Sequence, residues 1–524
     1  MKFGILRQIR FILFTLFILL APLFSGAKDM IHAKLTIDFN SEGQPYDRMI
    51  FGQFIEHFHR QIYGGIFDPG SKLSDQQGFR KDVIAALREM KVPVVRWPGG
   101  CFVSSYHWLN GTGKARTPEY DKAWQVEESN TFGTDEFVAW CRKIGAEPYI
   151  CTNAGNGTLE EMSDWVEYCN LNIGKYGRLR QTNGNKQPFN VNYWSIGNEN
   201  WGGHEIGAKS IAEWGPLVRE SAKMMRRVSP DMKLFAAALS NRDWTLPLLR
   251  DAGDLLDFVS IHNYWDGDHD NFNPASYLDC MMKTGLPEND IKNTISILDQ
   301  SGYRGRIKIA FDEWNLRGWL HPGLFNPRQK MDIAARDKND INSTYTMADA
   351  LFAACFLNTC LRNTKDVKMA CFSPVVNASG ALFVHPKGVV KRTTFHVFSM
   401  YTNNLQPNVV PSVVNSDSLT FENKSVPAVD VIVTSNQNKN LLTLVLVNKD
   451  PQRAADCDLG LASSGNTVGA IILSGDSPDA YNDIETPDRV IPKSSQLEMK
   501  NGHVLIPAHS LMILIIPSEI GRQR

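Results

Sequence analysis

Hydrophobic residues recur along most of the chain in short strand-like runs, separated by stretches of helical periodicity. From about residue 49 this alternation repeats eight times. The apolar runs predicted to be strands are Met49–Phe54, Val92–Trp97, Ala146–Asn153, Val191–Glu199, Lys233–Leu239, Phe258–Tyr264, Arg306–Trp314 and Val367–Val375. Eight alternating β and α units predict a (β/α)8 barrel, the TIM barrel of the α/β class. A doubly wound parallel sheet is the alternative, but it does not account for polar residues at so many strand ends.

After about residue 402 the pattern changes to short strands with turn residues between them. The strands predicted there are Val429–Thr434, Leu441–Val447, Gly469–Leu473, His503–Pro507 and Leu511–Ile516. Such a series predicts an antiparallel β-sandwich of the jelly-roll type. The early strand Ala33–Phe39 has no helix after it, and we expect it to join this sandwich. The expected organisation is an N-terminal strand of the sandwich in residues 28–45, the barrel in 46–402 and the sandwich in 403–524.

Residues 1–27 have the features of a signal peptide. Three basic residues within the first ten precede the apolar run Phe11–Phe24, and Ser25-Gly26-Ala27 supplies small residues for cleavage. An uncleaved membrane anchor is the alternative, but the run is shorter than the roughly 20 residues that a full span needs. We therefore expect an exported protein, periplasmic or extracellular, with no stable membrane span after cleavage.

Composition argues against some partners and cofactors. The 524 residues carry a formal net charge of −1, so there is no basic field to attract nucleic acid. The nine cysteines are odd in number and form no Cys-x-x-Cys pair, and we interpret them as mostly buried free thiols rather than disulfides. No His/Cys spacing typical of zinc occurs, and neither a metal nor an organic cofactor is expected.

Acidic residues mark the carboxyl ends of two predicted strands. The fourth strand runs into Asn198 and Glu199, and the seventh into Asp312 and Glu313. In a (β/α)8 barrel these ends meet at one mouth, where catalytic side chains lie. Two carboxyl groups across such a mouth suit glycosidic bond cleavage. Two unrelated acidic strand ends facing solvent are the alternative.

Other strand ends add side chains that suit a polyhydroxylated substrate. They are Gln53 and Glu56 at the end of the first strand, Arg96, Trp97 and Cys101 at the second, Asn153 at the third, and His262, Asn263 and Tyr264 at the sixth. For Arg96 a structural salt bridge is the alternative, and for His262 a buried core histidine. Their shared placement favours a common site. Cys101, just past a Gly-Gly turn beside that site, is expected to be a reduced thiol.

Five motifs in this order resemble those of the glycoside hydrolase family 51 α-L-arabinofuranosidases, which belong to a clan of retaining enzymes with TIM-barrel catalytic domains. The motifs are Phe51-Gly-Gln-Phe-Ile-Glu-His57, Arg96-Trp-Pro-Gly-Gly100, Trp194-Ser-Ile-Gly-Asn-Glu199, Ser260-Ile-His-Asn-Tyr264 and Phe311-Asp-Glu-Trp-Asn315. The segments Ile484–Pro492 and Pro507–Ser510 resemble the end of the family's sandwich. The resemblance covers residues from about 33 to 517.

This resemblance implies the roles of the site residues. Glu199 is expected to be the acid/base and Glu313 the nucleophile. The residues expected to bind substrate or to orient the two carboxylates are Glu56, Arg96, Trp97, Cys101, Asn198, His262 and Tyr264. Among them, Asn198 is expected to bind the sugar's 2-hydroxyl. We also expect the pKa of Glu199 to be raised by its neighbour's charge and by partial burial, so that it starts protonated.

The implied activity is that of a retaining, exo-acting α-L-arabinofuranosidase. It would release L-arabinose from arabinose-containing plant polysaccharides or oligosaccharides by double displacement, with no cofactor. Family members often form oligomers, so a homo-oligomer is a possible state. Two alternatives stay open at this point. One is another retaining enzyme of the clan, such as a β-xylosidase or an endo-β-glucanase, and the other is a non-catalytic sugar-binding protein.

Overall fold

Eight parallel strands close into a barrel in the computed structural model, which describes residues 30–269, 272–321, 326, 328–461 and 466–517. The barrel strands, named β1 to β8 in chain order, are Gly52–Phe54, Val94–Trp97, Glu147–Thr152, Tyr193–Ile196, Lys233–Ala237, Phe258–Asp266, Lys308–Arg317 and Val367–Phe372. The expected TIM barrel is confirmed. The expected signal peptide, residues 1–27, lies outside the described residues.

Helices connect the barrel strands. Their bounds are Lys81–Glu89, Thr134–Ile144, Leu159–Asn170, Gly174–Thr182, Ile211–Val228, Arg242–Ala252, Tyr277–Met282, Leu286–Ser301, Met347–Arg362 and Thr393–Asn404. The helix after β4 begins with a capping box, in which Ser210 and Glu213 satisfy each other's backbone amides. Among the helices of the described residues, none has the length and apolar character that a bilayer crossing requires.

β1 is shorter than the strand Met49–Phe54 that its apolar residues predict. Asp47 accepts a hydrogen bond from the Met49 amide at 3.0 Å, which caps a short 3₁₀ helix over Arg48–Phe51. The strand starts at Gly52. A β-carbon there would lie 2.7 Å from the carbonyl oxygen of Ala370, so glycine lets β1 approach β8 closely.

β4 ends before the predicted limit at Glu199. The chain turns at Gly197, whose φ is +72°, a conformation that glycine adopts without strain. A β-carbon there would also lie 2.7 Å from the Trp214 ring. Asn198 and Glu199 therefore follow the strand in the loop at the barrel mouth.

β6 and β7 extend further than predicted, and their pairing contains a β-bulge. Ser260 pairs with Ala310 and His262 pairs with Glu313, so β7 has one extra residue in this interval. In a regular strand, Asp312 and Glu313 would point to opposite faces of the sheet. The bulge lets both carboxylates reach the barrel interior, where they meet the same buried arginine.

Strands from both ends of the chain form the sandwich. The four-stranded sheet has the order Ser412–Ser416, Ile31–Ile37, Ala455–Asp458 and His503–Ile506. The seven-stranded sheet has the order Gln44–Pro45, Asn408–Val410, Val429–Ser435, Leu441–Asn448, Ser510–Pro517, Asn466–Ser474 and Lys493–Met499. Within these sheets, Ile31–Ile37 pairs in parallel with Ala455–Asp458, and the other neighbours are antiparallel. The early strand thus lies between two strands from the far end of the chain.

The helix Met347–Arg362 lies between the barrel and the sandwich. Every residue from Met347 to Leu361 is buried, because β7 and the seven-stranded sheet both contact this helix. Near its end, Asn358 and Arg362 donate hydrogen bonds to Asp430 of the sheet at 2.7 and 3.0 Å. These hydrogen bonds therefore add a polar contact at one end of the otherwise apolar interface between the helix and the sheet.

Replacing Asp430 with alanine is expected to lower the melting temperature by a few degrees. The substitution leaves the buried side-chain amide of Asn358 without its acceptor, which costs about 1–3 kcal/mol. Differential scanning calorimetry measures the shift. The matched control is Asp456→Ala, which removes an exposed pair with His503 at 3.0 Å and should change the melting temperature little. An equal drop in both variants would contradict this role for Asp430.

Candidate active site

The carboxyl ends of the barrel strands surround a pocket of about 250 Å³. Seven of the nine residues expected in the site line it: Glu56, Cys101, Asn198, Glu199, His262, Tyr264 and Glu313. Arg96 is fully buried and contacts these residues from the barrel interior. All nine cysteines are free thiols, eight of them buried, and Cys101 is the partly exposed one.

Trp97 does not line the pocket, and the expectation that it binds substrate is wrong. Its indole is fully buried, donates to His57 Nε2 at 3.1 Å and stacks on Phe137 with ring centroids 4.7 Å apart. Successive residues of a strand point to opposite faces. Because Arg96 faces the barrel interior, Trp97 faces the layer of helices.

The two glutamates expected to carry the chemistry face each other across the pocket. A carboxylate oxygen of Glu199 lies within 4.8 Å of one of Glu313, and a ring nitrogen of His262 lies within the same distance of both. Retaining glycosidases place their carboxyl groups about 5–5.5 Å apart, whereas inverting enzymes leave about 6.5–9.5 Å for a water molecule. The observed spacing therefore suits direct attack on the sugar by one carboxylate.

Glu313 is held by two hydrogen bonds. Arg96 Nη1 donates to one carboxylate oxygen at 2.8 Å, and the Tyr264 hydroxyl donates to the other at 2.8 Å. Burial and the charge of Glu313 raise the pKa of Tyr264 well above its usual value, so the phenol keeps its proton and acts as a donor. The carboxylate is thereby oriented by partners from β2 and β6.

Glu199 is paired with two histidines. His262 Nδ1 lies 2.8 Å from one carboxylate oxygen and His204 Nε2 lies 2.9 Å from the other. Burial raises the pKa of Glu199, but the hydrogen bonds and charges of His204 and His262 outweigh burial and lower the pKa well below its usual value. The expectation of a raised pKa is therefore wrong for the free protein. It did not take His204 into account, because the sequence alone does not show that this residue lies beside Glu199.

His262 lies between Glu199 and Asp312, the buried acid that precedes Glu313 in β7. Its Nε2 lies 3.4 Å from Asp312 Oδ1, while its Nδ1 contacts Glu199. Burial alone would lower the pKa of His262, but the charge of Glu313 and hydrogen bonds with Asp312 and Glu199 raise it to about 10. A buried, protonated imidazole therefore stands between the two sides of the pocket.

Glu56 lies against the Gly-Gly turn that follows β2. Its Oε1 accepts hydrogen bonds from the Trp124 indole and from the Phe102 amide, each at 2.9 Å. A β-carbon at Gly99, whose φ is +123°, would overlap the Glu56 side chain. Burial and the charge of Glu313 raise the pKa of Glu56 well above its usual value. The turn thus needs glycine because it packs directly on a pocket carboxyl group.

Asn198 is fixed from two sides. Arg96 Nη2 donates to its Oδ1 at 2.7 Å, and its Nδ2 donates to Glu205 Oε1 at 2.7 Å. Glu205 is itself buried. Burial and the charge of Glu199 raise the pKa of Glu205 to about 7. The orientation of the Asn198 amide is therefore set before any substrate arrives.

Several of these residues could not be identified from the sequence. His204 and Glu205 lie in the loop after Glu199, and Trp124 lies in the turn between the strands Glu119–Asp121 and Val126–Glu128. None of them ends a barrel strand, which was the signal that identified the others. The only available indication was the closeness of His204 and Glu205 to Glu199 in the chain.

Comparison with known proteins agrees with this geometry. Residues 86–280 match the family model "Alpha-L-arabinofuranosidase 1 domain", and residues 312–510 match "Alpha-L-arabinofuranosidase C-terminal domain". A probable α-L-arabinofuranosidase C from Aspergillus clavatus is 34% identical over 499 residues, which cover 89% of this chain and 93% of the relative.

A bacterial relative and a solved structure extend the comparison. An intracellular exo-α-(1→5)-L-arabinofuranosidase from Halalkalibacterium halodurans is 33% identical over 86% of this chain and 92% of the relative. The crystal structure of the Thermotoga maritima α-L-arabinofuranosidase with arabinose superposes with a TM-score of 0.81 at 32% identity, covering 93% of this chain and 100% of that one. With its barrel, its sandwich and its paired glutamates, this chain belongs to the family 51 α-L-arabinofuranosidases and is a glycoside hydrolase.

Proposed function

We propose that this chain releases terminal α-L-arabinofuranosyl residues by retaining double displacement, with Glu313 as nucleophile and Glu199 as acid/base. The observation that carries the proposal is the approach of the two carboxylates to within 4.8 Å, each with its own set of donors. That arrangement leaves no room for the intervening water of an inverting mechanism. It also distinguishes a catalyst from a sugar-binding protein, which has no need of two opposed carboxylates.

In the first step, Glu313 attacks the anomeric carbon and forms a glycosyl-enzyme. Arg96 and Tyr264 hold its oxygens in place, which saves the cost of orienting the nucleophile during the reaction. Asn198, held by Arg96 and Glu205, is positioned to bind the sugar's 2-hydroxyl. Such hydrogen bonds to the 2-hydroxyl strengthen in the oxocarbenium-like transition state.

Glu199 supplies the proton for the leaving oxygen. In the free protein its carboxylate is paired with His204 and His262, so the needed proton resides on these imidazoles. A proton that moves along either hydrogen bond to Glu199 can pass on to the glycosidic oxygen. In the second step, Glu199 accepts a proton from the water that attacks the glycosyl-enzyme.

The substrate is proposed to be an arabinose-containing plant oligosaccharide or polysaccharide. A pocket of about 250 Å³ is at the small end for ligand sites, which supports the binding of one terminal pentose rather than a long chain segment. Trp201 and Trp319 line the same pocket and offer apolar faces to a sugar. The relative from Halalkalibacterium halodurans is described as exo-acting on (1→5) linkages, which supports the same mode of action here.

Aryl α-L-arabinofuranosides are expected to be hydrolysed with retention of the anomeric configuration. NMR of the first-formed sugar, recorded before mutarotation, measures the outcome. Aryl β-xylosides and β-glucosides serve as controls for the other activities of the clan and should react much more slowly. An inverted first product would exclude Glu313 as nucleophile, and faster xyloside cleavage would assign the chain to a different activity.

We propose export on the basis of residues 1–27 alone. A homo-oligomeric state is a separate proposal. The relative from Halalkalibacterium halodurans is described as intracellular, so membership of the family does not by itself imply export. Expression of the full chain in an exporting host should yield a mature protein that begins at Lys28. Mass spectrometry of the N-terminal peptide checks this, and an exported protein that retains residues 1–27 would contradict cleavage.

A further inference from the structure

Three potential metal ligands of different chemistry meet on one wall of the pocket. The sulfur of Cys101, a ring nitrogen of His204 and a carboxylate oxygen of Glu205 lie within 4.8 Å of one another. Cys101 follows the glycine turn after β2, whereas His204 and Glu205 belong to the loop after β4. The fold therefore brings together three residues that do not form a recognisable metal-binding motif in the sequence.

Glu205 offers an oxygen that makes no hydrogen bond of regular geometry. The residue is only 5% exposed, and its Oε1 accepts the hydrogen bond from Asn198. Within the part of the chain that the structure describes, its Oε2 has no hydrogen-bond partner of regular geometry, although the Cys101 thiol and the Ser104 hydroxyl interact with the carboxylate. Leaving a buried polar atom unpaired costs about 1–3 kcal/mol, more for a charged group. A cation bound at this oxygen would remove that cost.

The surroundings of the cluster favour a cation. Burial and the charges of Glu205, Glu56 and Glu199 raise the pKa of the Cys101 thiol well above its usual value. The Glu199 carboxylate, 2.9 Å from His204, adds a negative charge beside the cluster, and a divalent ion neutralises the thiolate as it forms. Metal binding then releases both the thiol proton and the proton of the His204 imidazolium to solvent, and no oxidation is involved.

We propose that Cys101, His204 and Glu205 bind a zinc ion, and that the bound ion blocks the sugar pocket. Thiolate sulfur, imidazole nitrogen and carboxylate oxygen are all zinc ligands, and a water molecule can complete a tetrahedral site. Ligands at about 2.0–2.3 Å from zinc stand roughly 3.5 Å from one another. Because the three ligand atoms lie within 4.8 Å of one another, the side chains need to close by little more than an ångström at most, within the reach of rotations about their side-chain bonds. Calcium and magnesium prefer oxygen ligands and should not bind here.

Occupancy of this site excludes substrate, a part of the proposal that rests on the proposed function. Cys101 and His204 both line the pocket, and His204 is the 2.9 Å partner of Glu199. An ion bound to them occupies space that the sugar needs and withdraws an imidazole from the acid/base. Zinc should therefore inhibit competitively against the aryl arabinofuranoside, while magnesium should have no effect.

Cobalt substitution tests the site directly, without any activity assay. The full chain, reduced and freed of metal with a chelator, is titrated with CoCl2. We expect one equivalent of cobalt to produce a near-ultraviolet thiolate-to-cobalt absorption band, which zinc then abolishes by displacement. Cys101→Ser should remove the band, whereas the matched control Cys457→Ala, in the sandwich, should keep it. The absence of a band, or a band that survives in Cys101→Ser, would overturn the proposal.

The other two ligands are tested through affinity. Mutation of even an outer-shell partner costs about 10–100-fold in metal affinity, so Glu205→Gln and His204→Asn should each weaken zinc binding at least that much in a competition with a chromophoric chelator. These two variants test the proposed zinc site even if Cys101→Ser does not fold. Unchanged zinc affinity in both would refute the site. A normal cobalt band in a protein that hydrolyses no arabinofuranoside would refute the proposed function and leave the metal site standing.

Discussion

Glu313→Ala is expected to reduce turnover of every glycoside substrate by about 10⁵–10⁶-fold, as loss of the nucleophile does in other covalent enzymes. Without this carboxylate no glycosyl-enzyme can form, whatever the leaving group. The shortened side chain also leaves Arg96 and Tyr264 without the acceptor that each contacts at 2.8 Å. Steady-state rates on aryl arabinofuranosides with good and poor leaving groups should fall to the same extent.

Azide provides the control for this variant. An azide ion can enter the space vacated by Glu313 and attack the anomeric carbon, and the glycosyl azide should then have inverted configuration. Glu220→Ala, at a partly exposed position on the helix Ile211–Val228 away from the pocket, serves as a handling control and should keep full activity. A retained azide from Glu313→Ala, read by NMR, would mean that the nucleophile lies elsewhere.

Glu199→Ala is expected to show a strong dependence on the leaving group. General acid/base assistance is typically worth about 10²–10⁴-fold and depends on leaving-group pKa, so glycosides of poor leaving groups should lose that much. Dinitrophenolate needs little protonation, and its release should survive. The second step then lacks its base, so the glycosyl-enzyme should accumulate, and intact-protein mass spectrometry should detect one added arabinosyl group.

Azide again distinguishes the roles, this time with the opposite stereochemistry. It needs no base, so it should restore turnover of the dinitrophenyl substrate by Glu199→Ala and yield a glycosyl azide of retained configuration. Uniform loss of activity on all leaving groups, with no accumulated intermediate, would contradict the assignment. If Glu313→Ala gave the retained azide and Glu199→Ala did not, the two roles would be reversed.

The barrel was predictable from the sequence because its strands are apolar runs at regular intervals. Local errors arose where one residue overrides the pattern. Asp47 caps a 3₁₀ helix within an apolar run, and Gly197 stops β4 short of Glu199. In the sandwich, Lys493–Met499 was missed because it is an edge strand with largely exposed polar residues and therefore has no apolar run. Periodicity reports burial, and it cannot detect an element whose burial is slight.

The site was predictable where its residues end barrel strands, and unpredictable where loops bring residues in. Trp97 ends β2 next to Arg96, but alternation along a strand places its side chain on the other face, so a position at a strand end alone does not show that a side chain faces the pocket. The direction of the pKa shift of Glu199 could not be predicted, because it depends on His204, whose position follows from the path of the loop after β4. A pKa shift that depends on charges a few ångströms away can be predicted only from the positions of the side chains, and the spacing of residues in the sequence does not give those positions.

The central position of Ile31–Ile37 in the four-stranded sheet has a consequence for biosynthesis. Its two partner strands lie at Ser412–Ser416 and Ala455–Asp458. Both edges of the first strand stay unpaired until the ribosome has translated as far as Ser412–Ser416, and pairing across such a separation is intrinsically slow. An unpaired strand of alternating apolar residues is prone to join other chains. The nascent chain must therefore be kept from aggregating until its C-terminal strands emerge.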